Sequence, residues 1–590
     1  MSINSAAYIA LSGMMATQVQ MSVASANISN AGTTGYTEKT AQQEAVVNGG
    51  VAAGTTITGI SSSVDAFLLK SLIASGSDTG AAKTADNYLD QLQSLYGTTG
   101  SSDSSGTSLG NTIASFEAAL SSLESSPNSA SLKENAVGAL DQVVSQLRET
   151  SAGIQQLRGN ADRDIAKTVS DVNQQLELIG TLNTQIQQAS AAGQSTADLV
   201  DQRNTALQAV ASEMSVSYYT TSSGALQVYS KSGQALVDSS VHELSYTPAS
   251  TVTSSTTYSA TPPSGFSGIT VNGIDITSQL GSGSLAELVT LRDTTLPDAQ
   301  TQLDSLASQL ASTLNAVSSQ GTALPPPSTL TGSAEVTAGT ALSATGTVRF
   351  AVADQSGNLV SYQDLDLSSY STVGDLVSAI NGISGLSASI DSNGHVVISS
   401  TDSSDGVAIN EMSSSVGSSG EGLVQWLGLN DLVTGTSASD IAVRPDILDN
   451  SSLLGTSILD SSASPQTGAQ VLSPGSSTIA DDLYSAMIGD TKFSAVPGIG
   501  ATTSSFADYA AAIVSSVATQ ASQATTTYNN KQALQSSLSS TMSSESGVNL
   551  DEETARLSTL QNQYSASAEL LQVLNQMFST LLTAVQSAVA

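Results

Sequence analysis

The first place in this 590-residue sequence where chemistry could reside is Gly106-Thr107-Ser108-Leu109-Gly110. A Gly-x-Ser-x-Gly motif exposes a nucleophilic serine where a strand turns sharply into a helix. Here it follows a Gly/Ser/Thr run that begins at Gly97, which has the composition of a linker and not of an apolar strand. A serine nucleophile also needs a general base, and the sequence has only two histidines, His242 and His395. His242 has Glu243 beside it but no second nitrogen or sulfur ligand nearby. His395 follows the turn signal Asn393-Gly394, so both read as surface residues. Asp391-Ser392-Asn393-Gly394 resembles the opening of a calcium loop but lacks the closing acid, because Val396-Val397-Ile398 continues as strand. Asp551-Glu552-Glu553 is a carboxylate cluster that the first turn of a helix explains, since the helix dipole favours negative charge there. P-loop, HExxH and GxGxxG patterns are absent. The residues therefore assign no catalytic, cofactor-binding or metal site.

Composition points the same way. Sixteen Lys+Arg against 50 Asp+Glu give a formal charge of −34, which argues against nucleic acid or anionic membrane as partner. The absence of cysteine removes disulfides, thiolate catalysis and cysteine-ligated metals. Hydrophobic residues at 39% suffice for real cores, whereas charged residues at 11% fall well below the usual ~25%. Function is expected in surfaces that meet copies or relatives of the chain. The N-terminus lacks the basic region of a Sec-type signal, with no Lys or Arg before Lys39. No run of about 18 apolar residues suggests a membrane span.

The elements that must carry such surfaces follow from periodicity. Ile3, Ala7, Leu11, Met14, Gln18, Met21, Ser25 and Ile28 recur at spacings of three and four, one face of a helix that Asn27, Asn30, Gly32 and Gly35 stop. Residues 37–62 read as extended or irregular. Further helical blocks are expected over 64–96 and 112–214, the latter broken at Ser126-Pro127-Asn128 and Ala192-Gly193. The period then shifts to two, with hairpins over 216–237 and 269–276, before a helix over 284–318. Pro325-Pro326-Pro327 marks a boundary to a β-rich module at about 328–435. That module holds a two-residue hairpin turn at Asn393-Gly394 and a short helix from Thr372 with an imperfect capping box to Asp375. Residues 436–500 give no clear pattern, and 506–540 is helical again.

The last helix has the strongest period. Leu557, Leu560, Tyr564, Ser567, Leu571, Leu574, Phe578, Leu581 and Val585 alternate in threes and fours over four heptads, a coiled-coil seam. Its roughly 40 residues span ~60 Å. Two amphipathic terminal helices have little to pack on except each other or another chain.

At this point the sequence resembles a known family. Ala26-Asn27-Ile28-Ser29-Asn30-Ala31-Gly32-Thr33-Thr34-Gly35-Tyr36-Thr37 is similar to the N-terminal motif of the flagellar axial proteins, which comprise rod, hook and hook-associated proteins. Ser546–Glu553 with Leu560–Ala568 resembles their C-terminal motif. Gly283–Leu288 with Leu291–Pro297, Leu427–Asp431 with Ala438–Val443, and Thr372–Asn381 resemble segments of the hook-associated members. The resemblance implies a multidomain α+β architecture: an N-terminal axial helix and linker over 1–62, and a helical bundle domain over 63–325 with a β-rich insertion at about 215–280. A β-rich outer domain at 326–435, a return segment at 436–545 and an axial coiled-coil helix at 546–590 complete it.

It further implies a structural protein at the distal end of the hook, in a ring-like homo-oligomer that touches the hook protein and a second hook-associated protein. Export would use the flagellar type III channel, with a chaperone on the C-terminal helix and no enzyme activity. The interface residues it implies are Leu11, Met14, Met21, Asn27, Ile28, Asn30, Gly35 and Tyr36, together with Leu557, Leu560, Tyr564, Leu571, Leu574, Phe578 and Leu581. Burying about ten such side chains at ~1.5–3 kcal/mol each gives a gross ~15–30 kcal/mol before the cost of ordering. A hook or rod protein, a secreted adhesin using the β-rich module, or a serine hydrolase using Ser108 are the alternatives.

Overall fold

The computed structural model describes residues 3–97, 106–261 and 263–589. It combines long helices with small antiparallel sheets. Helix α1 (Ile3–Asn30) leads into a hairpin of β1 (Lys39–Asn48) and β2 (Val51–Ser62), a regular element where the sequence suggested only extended or irregular chain. Gly49 and Gly50 take φ of 63° and 83°, as a tight hairpin turn requires. Two register shifts fall beside Gly59 and Gly54, where a bulge interrupts the ladder.

Helices α2 (Ala66–Leu95), α3 (Leu109–Ser125), α4 (Ala130–Ala191) and α5 (Ala197–Glu213) follow, with breaks where the sequence places them. Side chains set three of the starts: Asp65 accepts from the amides of Phe67 and Leu68, Ser108 from Asn111, and Ser129 from Leu132. Ser108 is thus a buried helix cap, and no strand leads into it among the described residues. The linker expected from 97 to 110 lies outside the described residues over 98–105, and its end is already helix α3.

Strands β3 (Val216–Thr220), β4 (Leu226–Ser230) and β5 (Ala235–Val237) form one meander. Strands β6 (Leu244–Ser245), β7 (Thr270–Val271) and β8 (Ile274–Asp275) form another. The helix expected over 284–318 is α6 (Ser284–Thr290) and α7 (Leu296–Ser318), joined by a π-helical turn at Leu291–Thr295. The widened turn sends Arg292 into the interior. There it pairs with Asp293 at 2.7 Å and Asp162 at 3.3 Å, under the ring of Phe266 at 4.5 Å. Apolar periodicity does not register one extra residue in a turn.

The β-rich module contains β9 (Thr329–Thr331), β10 (Ala344–Thr345), β11 (Thr347–Asp354), β12 (Leu359–Asp366), α8 (Val373–Ile380), β13 (Leu386–Ile390), β14 (Val396–Ser400), β15 (Asp405–Asn410), β16 (Ser415–Val416) and α9 (Leu423–Leu427). Its sheets run β12-β11-β15, β13-β14-β9 and β10-β16. Thr372 and Asp375 complete the capping box in both directions, since an aspartate reaches the Thr372 amide at 3.0 Å. The turn between β13 and β14 is a correction. It is not a two-residue loop at Asn393-Gly394, because Ile390 pairs with Val396 and the Asp391 amide donates to the His395 carbonyl. Asp391 accepts from the amides of Asn393 and His395, and only Gly394 has positive φ. The same closure recurs at 354–358, 221–225 and 230–234, each with glycine in fourth place. An aspartate that fastens the turn to itself favours the longer loop.

The segment without clear pattern holds β18 (Ala442–Val443), α10 (Pro445–Asp449), α11 (Thr478–Ile488) and β19 (Thr491–Phe493), between β17 (Val433–Thr434), which pairs with β18, and β20 (Thr502–Ser504), which pairs with β19. Helices α12 (Phe506–Ser546) and α13 (Leu550–Val589) end the chain. One core joins α3, the start of α4, α7, α11 and α12, and a second joins the rest of α4 to α5, α6 and β3–β7. The β-rich module has its own core.

A recurring device fastens strands to helices. Asn173, Asn183, Asn315 and Asn381 each donate to a backbone carbonyl and accept from backbone amides at the same place, at Leu244, Leu226, Leu432–Val433 and Ala388. The side-chain amide substitutes for the missing neighbour strand, so buried backbone groups stay paired.

Candidate assembly interface

Helices α1 and α13 lie side by side and antiparallel. Ile3 shares a groove with Val573, Met577 and Leu581. At the opposite end the Glu38 amide donates to the Ser546 carbonyl at 2.8 Å, and Arg556 lies 3.7 Å from the Glu38 carboxylate. The hairpin flanks α1 as well: the Thr55 amide donates to Ser12 Oγ at 3.1 Å. Gly54 approaches Ser12 so closely that a Cβ there would overlap its hydroxyl.

This packing corrects the expected α1 face. The buried residues are Ala10, Ala16, Thr17, Val23, Ala24 and Asn27. Leu11 is 39% exposed, Gln18 and Ser25 are exposed, and Met14, Met21 and Ile28 are half-buried. Two neighbours press on α1, and close backbone approach selects small residues over large ones. Reading only the bulky positions misses that choice.

The corner after α1 explains the Asn27–Thr37 motif in physical terms. Asn27 is fully buried and uses the same amide device as the four asparagines above, donating to the Lys39 carbonyl at 2.9 Å and accepting from its amide at 3.0 Å. The Tyr36 hydroxyl donates to the same Asn27 oxygen at 2.9 Å. Gly35, at φ 80°, passes against Thr205, where a Cβ would overlap the hydroxyl. Thr37 donates through amide and hydroxyl to the Asp201 carboxylate at 3.0 and 2.8 Å. Lys39 completes a buried ion pair with Asp201 and stands 4.2 Å from the centre of the Tyr36 ring. Burial, then Asp198, Asp201 and Glu553, push the Tyr36 phenol up to about 12. Asn30 serves its own helix end, donating to the Ala26 carbonyl at 2.9 Å. The corner thus locks α1 and the hairpin base onto α5.

Along α13 the expected seam is covered at one end and open at the other. Leu560 is 6% exposed; Leu557, Tyr564, Leu571 and Leu574 are half-buried; Phe578 and Leu581 are exposed, Leu581 at 55%. Val585, the last seam residue, is exposed too, and a second exposed set, Leu570, Val573, Met577 and Leu582, accompanies them. Tyr8, Met15 and Val19 on α1 are likewise exposed, as are Val46, Val47 and Val51 at the hairpin tip. These surfaces lack charge. No Asp, Glu, Lys or Arg precedes Glu38, only Glu38, Lys39 and Glu44 precede Asp65, and Glu569 alone follows Arg556.

The first turn of α13 also differs from the sequence reading. Asn549 caps it, accepting from the Asp551 amide at 3.1 Å, but Glu553 is buried at 1% exposure. It faces Glu38, with Arg556 3.4 Å away. Burial first, and Glu553 next, raise the Glu38 pKa. The sequence reading did not assign Ser12, Glu38, Lys39 or Asp201 to this joint, and named Thr37 and Glu553 only within the terminal motifs and a helix first turn. Lys39, the first cation of the chain, was the one available signal. His242 pairs with Asp238 at 3.1 Å and Asn272 at 3.2 Å, and His395 lies 3.6 Å from Asp391. Neither histidine belongs to a metal-binding group among the described residues. No described helix is long and apolar enough to cross a membrane.

Comparisons with known proteins fall on these same segments. Residues 89–329 match the flagellar hook-associated protein FlgK helical domain, and residues 347–402 the flagellin hook IN motif. Residues 8–37 match the flagella basal body rod protein, and 539–584 the C-terminal part of the flagellar basal body rod FlgEFG protein. The last two are the antiparallel helices and their corner. The chain is 25% identical over 321 residues to flagellar hook-associated protein 1 of Salmonella typhimurium, covering 53% of this chain and 56% of that protein. It thus spans about half the length of that relative. Against flagellar hook-associated protein 1 of Escherichia coli it is 25% identical over 594 residues, covering 97% and 98%. A solved structure, the flagellar hook junction protein FlgK from Burkholderia pseudomallei, is similar at 17% identity and a TM-score of 0.49, covering 80% of this chain and 99% of that one.

Proposed function

We propose that this chain is a flagellar hook-associated protein and forms the structural junction between hook and filament. Copies assemble through their terminal helices into a ring on the distal end of the hook and carry a second hook-associated protein above. The observation that carries this reading is the unfinished terminal pair: α1, the hairpin and α13 leave apolar, uncharged faces open at the end away from the body. In a chain of charge −34, such faces are where copies can meet with little repulsion.

The structure lowers the energy assembly can supply. Leu560 is already covered within one copy, and Leu571 and Leu574 are half covered. Covering what stays open on distal α13 gives on the order of 5–10 kcal/mol gross per copy. In this reading 1–62 and 546–590 line the axis, the helical bundle of 63–325 and 436–545 stands outside them, and 326–435 is outermost. The chain leaves the cell through the flagellar export channel, with a chaperone shielding the open stripe of α13.

Deletion of the gene tests the proposal. Electron microscopy should show hooks without filaments, with filament subunit lost to the medium. Normal filaments would overturn the junction role, and absent hooks would move the protein down the axis to hook or rod.

A further inference from the structure

We propose that the hairpin tip of one copy inserts into the groove between α1 and distal α13 of the next copy. This rests on the reading that copies assemble through their terminal helices and names the contact they make. The tip is a knob. Val46 and Val47 are adjacent on β1, so their side chains leave opposite faces. Val51 pairs with Asn48 and therefore shares the Val46 face. A hairpin end that is apolar on both faces suits insertion between two walls better than lying flat on one. Val47 is 62% exposed and Val51 60%, and two strands without a third are marginal alone.

The groove is lined by Ile3 and by Val573, Gln576, Met577, Thr580, Leu581 and Ala584, and no hairpin residue lines it. The tip lies toward the same end of α1, because Gly54 already sits beside Ser12, and the chain from there to Val51 continues toward Ile3. Knob and groove thus share one end of the molecule without meeting within one copy.

A second copy is the occupant that charge favours. Glu44 is the only charged residue of the two strands beyond Lys39, and Glu569 the only one on α13 beyond Arg556. Neither lines the groove. A cationic partner would find no acidic target there, and a second copy of this acidic chain meets no repulsion. A knob and a groove at different places on one surface make a head-to-tail contact, which closes into a ring or continues as a helix.

The absence of cysteine makes the test clean. Full-length Val47→Cys and Thr580→Cys chains are produced together in a deletion strain, and isolated appendages are oxidised and run on a non-reducing gel. The expected result is a covalent dimer when both variants are present and none with either alone. Separate chains carry the two thiols, so an intramolecular bond cannot form. A dimer from Val47→Cys alone would mean that tip meets tip and would overturn the proposal. Appendages that contain both variants without a cross-link would overturn it while leaving the junction role standing. Absence of the wild-type chain from appendages would sink the junction role itself. As a second measurement, Val47→Glu with Val51→Glu should cut incorporation several-fold while the thermal melting of the purified chain stays unchanged. Undiminished incorporation would also overturn the proposal.

Discussion

Helices α7 and α13 are both long and leucine-rich at helical spacing, yet they end differently. In α7, Leu303, Leu306, Leu310 and Leu314 are fully buried between α3, α4, α11 and α12. In α13, Leu571 and Leu574 are half covered, and Phe578 and Leu581 are exposed. Apolar spacing says which face of a helix seeks cover and nothing about whether the same chain supplies it. Charge does not separate the two cases either: α7 carries only Asp298 and Asp304, and α13 beyond Arg556 carries only Glu569.

The sharpest way to break that contrast is to truncate one leucine in each helix. Leu306→Ala should destabilise the isolated chain by ~2–5 kcal/mol in urea unfolding, because the cavity sits in a closed core. Leu581→Ala should change the isolated chain by less than about 0.5 kcal/mol, as an exposed side chain does, while reducing incorporation into appendages. Equal effects on the isolated chain would mean that α13 is already covered in solution.

The corner that joins the two regions comes next. Asn27→Ala leaves the Lys39 amide and carbonyl and the Tyr36 hydroxyl without a partner. A cost of about 2–3 kcal/mol is expected from such buried orphans. It should be read as faster hydrogen exchange along β1 with little change in α7. Asn27→Asp keeps the acceptor and loses the donor, so it should fall between. Spread of the effect into α7 would join the two regions into one cooperative unit.

Much of this architecture was legible before the structure, and the omissions share a cause. Helix breaks at Pro127 and Gly193, the strand–turn–strand patterns at 216–237 and 269–276, and the long final helix α13 follow from local period and turn chemistry. The small buried face of α1, the π turn that carries Arg292 inward and the buried Glu553 were not legible, because each is decided by a second element arriving from far along the chain. The asparagine clamps are the plainest case. Asn173, Asn183, Asn315 and Asn381 look like ordinary polar positions on helices, and only the strand edge beside each gives it a task. The terminal motif was recognisable as a pattern, whereas its Lys39–Asp201 pair across to α5 was not.

A smaller effect should follow from Gly35→Ala. The residue would have to hold a left-handed φ of 80° and overlap the Thr205 hydroxyl. About 1–2 kcal/mol of weakened corner is expected from the backbone alone. Adding Thr205→Ala should restore only the part due to the clash, a coupling that a double-mutant cycle reads directly. Full recovery would show that the backbone conformation costs little and that the side-chain overlap is what glycine avoids.

The smallest effect separates the regions by pH. Burial and the facing Glu553 raise the Glu38 carboxyl above the ordinary glutamate value, so the folded joint binds the proton more tightly than the unfolded chain does. Its contribution is present at acid pH and lost as pH rises through the raised value. Glu552 and Glu553 on α13 oppose ionisation there and Arg556 favours it, while Glu38 keeps solvent contact, so the change should be a few tenths of a kcal/mol. In the body the slope reverses. Lys133 is buried with the Leu454 carbonyl at 2.8 Å, and burial lowers its pKa from 10.5 to about 8, so folding gains stability as pH rises from about 8 toward 10.5. Hydrogen exchange followed against pH should therefore show the first turn of α13 loosening as pH rises through the raised Glu38 value, while the start of α4 tightens only in alkali. Glu38→Gln should flatten the first slope and leave the second. If Glu38→Gln moved both, the corner would be transmitting strain into the bundle and the two regions would not be independent.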